Sequence, residues 1–213
     1  RLTQSSGVGE FNSGECLTGV NFRGASAFTA DRPRIYKGAN IQFDAVYNKV
    51  GYHFPQARII ALWEDAWPVI TKQRPPEPLV MRMNTFDCAM YQHTNLIPNI
   101  YEMDDYQVRT PTDVIGQHIH LPKWDLTAAD GSANGWNYED GILSPGSVVE
   151  RVEAIRNYNG CTEGDSREGT AACPKARQHP YFGRFGRADW LGARTAMQRW
   201  FADPLVNVHN VDR

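Results

Sequence analysis

Two histidines, His118 and His120, stand one residue apart in the stretch Asp113-Val-Ile-Gly-Gln-His-Ile-His-Leu-Pro-Lys-Trp-Asp125, and no other His-x-His occurs in the chain. Val114 and Ile115 precede the pair and Leu121 follows it, so the stretch reads as a strand. On a strand, residues i and i+2 share a face. Two imidazoles would then stand side by side, close enough to bind one metal ion or two adjacent ones. Neutral imidazole is a ligand for copper, zinc, iron and nickel. The plainer alternative is two partly buried polar residues of a β-sandwich. Gln117 falls on the opposite face and is no ligand candidate, whereas Asp113 is a candidate for orienting one of the imidazoles.

The elements that would position this pair follow from the patterning on either side. Ile41, Phe43, Ala45 and Tyr47 alternate as in a half-buried strand. Residues 58–63 are apolar on both faces and read as a central strand. A short helical turn is expected over residues 64–73, ended by Arg74-Pro-Pro-Glu-Pro78. Residues 79–84 and 88–95 read as further strands, and residues 99–112 as polar and extended. A long loop follows over residues 127–141, rich in Gly, Asn and Asp. Ser144 as N-cap and Pro145 in the first turn open a helix with Val148, Val152 and Ile155 on one stripe, closed by Asn159-Gly160. Residues 190–201 read as a last helix, with Trp190, Met197 and Phe201 on related faces. Short strands separated by turn signals suggest an antiparallel sandwich with inserted helices. The chain divides into a lead-in over residues 1–35, a β-domain over 36–143 and a helical, cysteine-loop extension over 144–213.

Composition bounds the function. The 22 basic and 24 acidic residues leave a net charge of −2, without long runs of either sign. Nothing points to nucleic acid or an anionic membrane as partner. No apolar run approaches the roughly 20 residues of a membrane span. Of the four cysteines, Cys161 and Cys173 flank a polar, Gly-containing loop, the kind that a disulfide staples outside the cytosol. Cys16 and Cys88 form the default remaining pair, or stay as buried thiols.

Residues 86–98, Phe-Asp-Cys-Ala-Met-Tyr-Gln-His-Thr-Asn-Leu-Ile-Pro, followed by the His118-Ile-His120 stretch, resemble the first copper motif of the multicopper oxidases. Residues 136–141 and 198–204 are similar to segments of the large bacterial branch of that family, which includes manganese-oxidase-like members. The resemblance runs from about Phe54 to the end of the chain.

It implies a mainly β, cupredoxin-like Greek-key β-sandwich with inserted helices and long loops. It implies copper, with His118 on the type 2 centre and His120 on a type 3 centre. Asp130 becomes the candidate carboxylate relaying protons to bound oxygen, although Asp-Gly is first of all a turn signal. The activity implied is laccase-like or metal-oxidase: one-electron oxidation of a phenolic, aromatic or metal-ion reductant, coupled to reduction of O2 to water. The localisation implied is secreted or periplasmic.

Three features depart from the family pattern. Leu121 stands where Gly is common. No cysteine has a histidine beside it, so the type 1 centre lies elsewhere. The six histidines of the chain are fewer than the family's trinuclear site uses. The chain therefore reads as a fragment whose remaining ligands come from other chains or from further segments of the same oxidase. The competing function is a non-catalytic β-sandwich for scaffolding or interaction. A weaker one is calcium binding by the Asp- and Asn-rich residues 125–140. His53 reads as a strand-end residue, His93 as structural, and His179 and His209 as loop residues.

Overall fold

The structure is a computed structural model that describes residues 34–84, 87–99, 103–105, 108–110, 112–120, 129–131, 142–178 and 190–202. The described part is mainly β. Strands β1 (Arg34–Val46), β2 (His53–Leu62), β3 (Cys88–Asn95) and β6 (Thr195–Phe201) form one sheet in the order β2-β1-β3-β6. Strands β4 (Met103–Asp105) and β5 (Val108–Thr110) form a separate two-stranded pair. Two helices accompany them, α1 (Trp63–Ile70) and α2 (Pro145–Tyr158). No helix among the described residues is long and apolar enough to cross a membrane.

Register assigns each side chain to a face. Tyr36, Gly38 and Asn40 of β1 sit opposite Tyr91, His93 and Asn95 of β3, and Tyr91 and His93 sit opposite Gln198 and Ala196 of β6. These residues share one face. The other face carries Ala39, Ile41 and Ala61, which bury against Trp63, Ala66 and Val69 of α1. That burial is why α1 forms although Leu62 gives it no side-chain cap; helices in proteins are stabilised chiefly by packing one apolar face. Trp190 completes this core, its ring 4.6 Å from that of Trp63.

Several sequence expectations meet their structure here. The strand over residues 88–95 forms as expected, buried except at Met90 and Gln92. Ser144 caps α2 by accepting from the Ser147 N–H at 3.1 Å, and Gly160 takes a positive φ of 61° just past the end. The apolar stripe of α2, however, is only half covered: none of its residues is fully buried, and Ile155 is exposed. The Cys161–Cys173 disulfide is present. Cys88 is disulfide-bonded too; its expected partner, Cys16, lies outside the described residues.

Four expectations are corrected. Residues 190–201 are not a helix: residues 195–201 are β6, antiparallel to β3. There the period of two wins, because Gln198 and Trp200 bury on the same face. Residues 58–62 lie in an edge strand, not a central one; β2 is apolar on both faces because α1 covers one and the chain at Leu79 crosses the other, donating Leu79 N–H to the Ile60 carbonyl at 2.7 Å. Residues 79–84 join no sheet, although Leu79, Met81 and Met83 alternate onto the apolar cluster of Ala89, Tyr91 and Trp200. The sheet is also mixed, since β1 and β3 run parallel.

His93 is buried at the centre of the sheet and hydrogen-bonded to the Tyr91 hydroxyl. Burial lowers its pKa from 6.5 to about 4 and raises that of Tyr91. The imidazole is thus neutral in the fold. As pH falls below 6.5, the unfolded chain takes up a proton that the folded chain refuses, so stability is lost between pH 6.5 and about 4. The loss expected is about 3 kcal/mol. A series of thermal melts across that range should show the decline, and His93→Gln should flatten it; an unchanged slope in the variant would place the acid sensitivity elsewhere.

Candidate metal centre

The His-x-His segment lies across the face of the sheet that carries Tyr91 and Asn95. It is extended but is not a strand of the sheet, which corrects the sequence reading. Among the described residues its backbone makes one isolated bridge, Ile115 with Ile142, through two hydrogen bonds of 3.1 and 2.7 Å. Alternation still holds without a ladder. Ile119 packs down onto the Tyr91–Trp200 cluster, while His118 and His120 point away from it and are exposed. The two rings are neighbours, with centroids 5.0 Å apart and planes at 77°.

Two buried amide side chains fix this segment. The Asn95 Nδ2 group donates to the Asp113 carbonyl and, at 2.8 Å, to the Ile142 carbonyl. Its Oδ1 accepts the Ile97 N–H at 2.9 Å. Further along, Gln198 Nε2 donates to the Gln117 carbonyl at 2.8 Å and to the Ala129 carbonyl at 3.1 Å. Trp200 Nε1 also donates to Ala129, at 3.3 Å. One glutamine of β6 thus ties together the chain just before His118 and the chain just before Asp130.

The consequence is a direct contact between His118 and Asp130. His118 Nδ1 lies 2.6 Å from Asp130 Oδ1 and 3.0 Å from the Asp130 carbonyl oxygen. Both are acceptors, so Nδ1 carries the proton and Nε2 carries the lone pair in the neutral ring. That is the tautomer a metal-binding histidine adopts when a carboxylate holds its other nitrogen. Asp130 also occupies the turn that Asp-Gly announces. Gly131 has a φ of 65°, and a Cβ there would come within 1.9 Å of the Gln117 carbonyl oxygen.

The other sequence candidates sort as follows. Asp113 does not reach a histidine: its buried carboxylate accepts from the hydroxyls of Ser144, at 2.7 Å, and Ser147. It anchors the start of α2 instead. His53 opens β2, exposed, with Nδ1 on Asp44 at 2.7 Å. His179 and His209, and the proposed calcium loop apart from residues 129–131, lie outside the described residues. Sequence reading assigned no role at this site to Gln198, Asn95 and Trp200, whose work is to hold backbone. The only available signal was an amide side chain amid the apolar residues of a strand.

Chemically, the pair offers two imidazole ligands and a carboxylate behind one of them. A copper or zinc ion needs further ligands to complete its shell. Among the described residues, one group of three ligand types lies close together, Cys161, Asp165 and Cys173. Its two sulfurs are bonded to each other, so in this state they are not the thiolates that a metal requires.

Replacing Gly131 by Ala should destabilise the fold by about 3 kcal/mol, from overpacking and the left-handed backbone together. Denaturant unfolding measures this, and a change below 1 kcal/mol would mean that the Asp130 turn moves freely. Comparison of the chain with protein-family models, with curated proteins and with solved structures finds no match.

Proposed function

We propose that this chain is part of a multicopper oxidase, a cupredoxin-like domain that contributes His118 and His120 to the oxygen-reducing copper site. The observation that carries the reading is the pairing of two outward imidazoles, one of them held through Nδ1 by Asp130. The donor set fits copper: imidazole is among its preferred ligands, and a carboxylate partner fixes the ring and raises its basicity. Copper held there would supply the coupling of one-electron oxidation of a phenolic, aromatic or metal-ion reductant to the four-electron reduction of O2 to water.

The chain's own residues have narrower tasks. Ile119 seats the segment on the sheet. Gln198 and Gly131 bring Asp130 to His118. Asp130 orients that ring and is placed to hold a proton close to the metal. The type 1 centre belongs to another part of the oxidase. Cys88, Cys161 and Cys173 are all disulfide-bonded, and none offers the thiolate that such a centre uses.

In the intact oxidase particle, His118→Ala should abolish oxygen consumption while leaving the blue absorbance of the type 1 centre in place. Asp130→Asn should weaken copper binding at this pair by about 10–100-fold, read by competition with a copper chelator. Unchanged oxygen consumption in His118→Ala would contradict the proposal and favour the scaffolding role.

A further inference from the structure

The hairpin joining β1 and β2 carries an apolar tip that stays exposed among the described residues. Val50, Tyr52 and Phe54 are 84%, 70% and 49% exposed. The tip is rigid. Tyr47 N–H donates to the Tyr52 carbonyl at 2.8 Å, and Asn48 Oδ1 accepts from the N–H groups of Val50 and Tyr52 at 3.0 and 3.3 Å. The pairing of β1 with β3 ends at Asn40, whereas its pairing with β2 continues to Val46. The hairpin is therefore a two-stranded arm reaching past the sheet.

A groove of about 630 Å³ lies at the base of the same arm. Phe43, Ile59, Val69, Pro75 and Pro76 give it an apolar lining. A β-bulge between Phe43 and Ala45 marks its edge, and Lys72 at its rim has a φ of 59°, the only positive value for a non-glycine among the described residues. The tip's lysine is Lys49. Of the cations lining the groove, Lys72 is paired with Asp44 and Arg74 with Asp65 and Glu77, while Arg58 donates to Gln42 and Thr112.

We propose that this arm mediates association of two copies, the tip of each seated in the groove of the other about a two-fold axis. Area argues for reciprocity. Three side chains of this size and exposure present on the order of 350 Å² of apolar surface, so one insertion removes about 700 Å² counting both partners. That is the scale of a crystal contact, whereas two insertions reach about 1,400 Å², the scale of a stable interface. Tip and groove share one arm, so a single two-fold axis satisfies both insertions. A lipid surface is the weaker match, because anchoring to anionic lipid takes several basic residues, and Lys49 is the one lysine or arginine between Val46 and Phe54.

Sedimentation velocity over a concentration series tests this on the full chain. A monomer–dimer equilibrium is expected. Val50→Asp, at the tip, should weaken it by about a hundredfold, roughly tenfold for each tip withdrawn. Gln73→Trp, which fills the groove, should weaken it comparably without touching the tip. Tyr52→Ser repeats the tip test without adding charge, and circular dichroism melts confirm that each variant is folded. A chain that stays monomeric at all concentrations, or a dimer indifferent to both tip and groove variants, would overturn the proposal. So would a monomer whose tip instead binds vesicles of phosphatidylcholine and phosphatidylserine.

Discussion

The arrangement around the histidine pair depends on one buried side chain, the amide of Asn95. It sits at the end of β3 with no exposed surface and uses both donors and its acceptor on backbone: the Asp113 and Ile142 carbonyls and the Ile97 N–H. Those contacts bring together a strand end, the start of the His-x-His segment and the approach to α2. Among the described residues no ladder of backbone hydrogen bonds does this work, since the segment bridges there only at Ile115. Each buried group left without a partner costs about 1–3 kcal/mol. Losing Asn95 would take a partner from all three, of which the Ile142 carbonyl keeps the Ile115 N–H.

Gln198 repeats the device one layer away. Asn95 fixes where the segment begins, and Gln198 fixes where His118 stands relative to Asp130. Between these amides lies a dry patch of Tyr91, Trp200 and Ala89 that receives Ile119. The Tyr91 and Trp200 rings are 5.1 Å apart, and His93 is neutral beneath them. An apolar floor under an outward-facing pair of imidazoles gives a rigid support and a solvent-facing edge in three consecutive residues. The opposite face of the sheet, packed by α1 and Trp190, gives the platform its stiffness and takes no part in the site.

How much of this was legible in the sequence follows from how local each signal is. Residues 88–95, the Ser144 cap and the Cys161–Cys173 staple rest on short-range rules, and they are found as expected. The His118–His120 geometry was legible because alternation belongs to extended backbone and survives without a sheet. The same fact misled the reading of residues 79–84, where Leu79, Met81 and Met83 alternate onto the core from a segment with no strand partner. Alternation reports which side is buried; it does not report hydrogen bonding. Residues 195–201 were misread because Trp190, Met197 and Phe201 also fit a helical period, and because a buried Gln198 breaks the apolar pattern of a strand. Its polarity serves carbonyls far away in the chain, which no local rule detects. Asp130 was visible as a turn residue, but its contact with His118 is tertiary and depends on Gln198 and Gly131.

The central claim is that His118 and His120 are both copper ligands, with Asp130 holding His118 through Nδ1. Pulsed electron paramagnetic resonance of the chain loaded with Cu(II) tests it most directly, because the remote nitrogen of each coordinated imidazole modulates the echo. The account predicts imidazole modulation that is weakened in His118→Ala and also in His120→Ala, each variant removing a copper ligand. Copper spectra that are the same in both variants as in the unaltered chain would contradict it, and would leave the pair as surface residues of a β-domain.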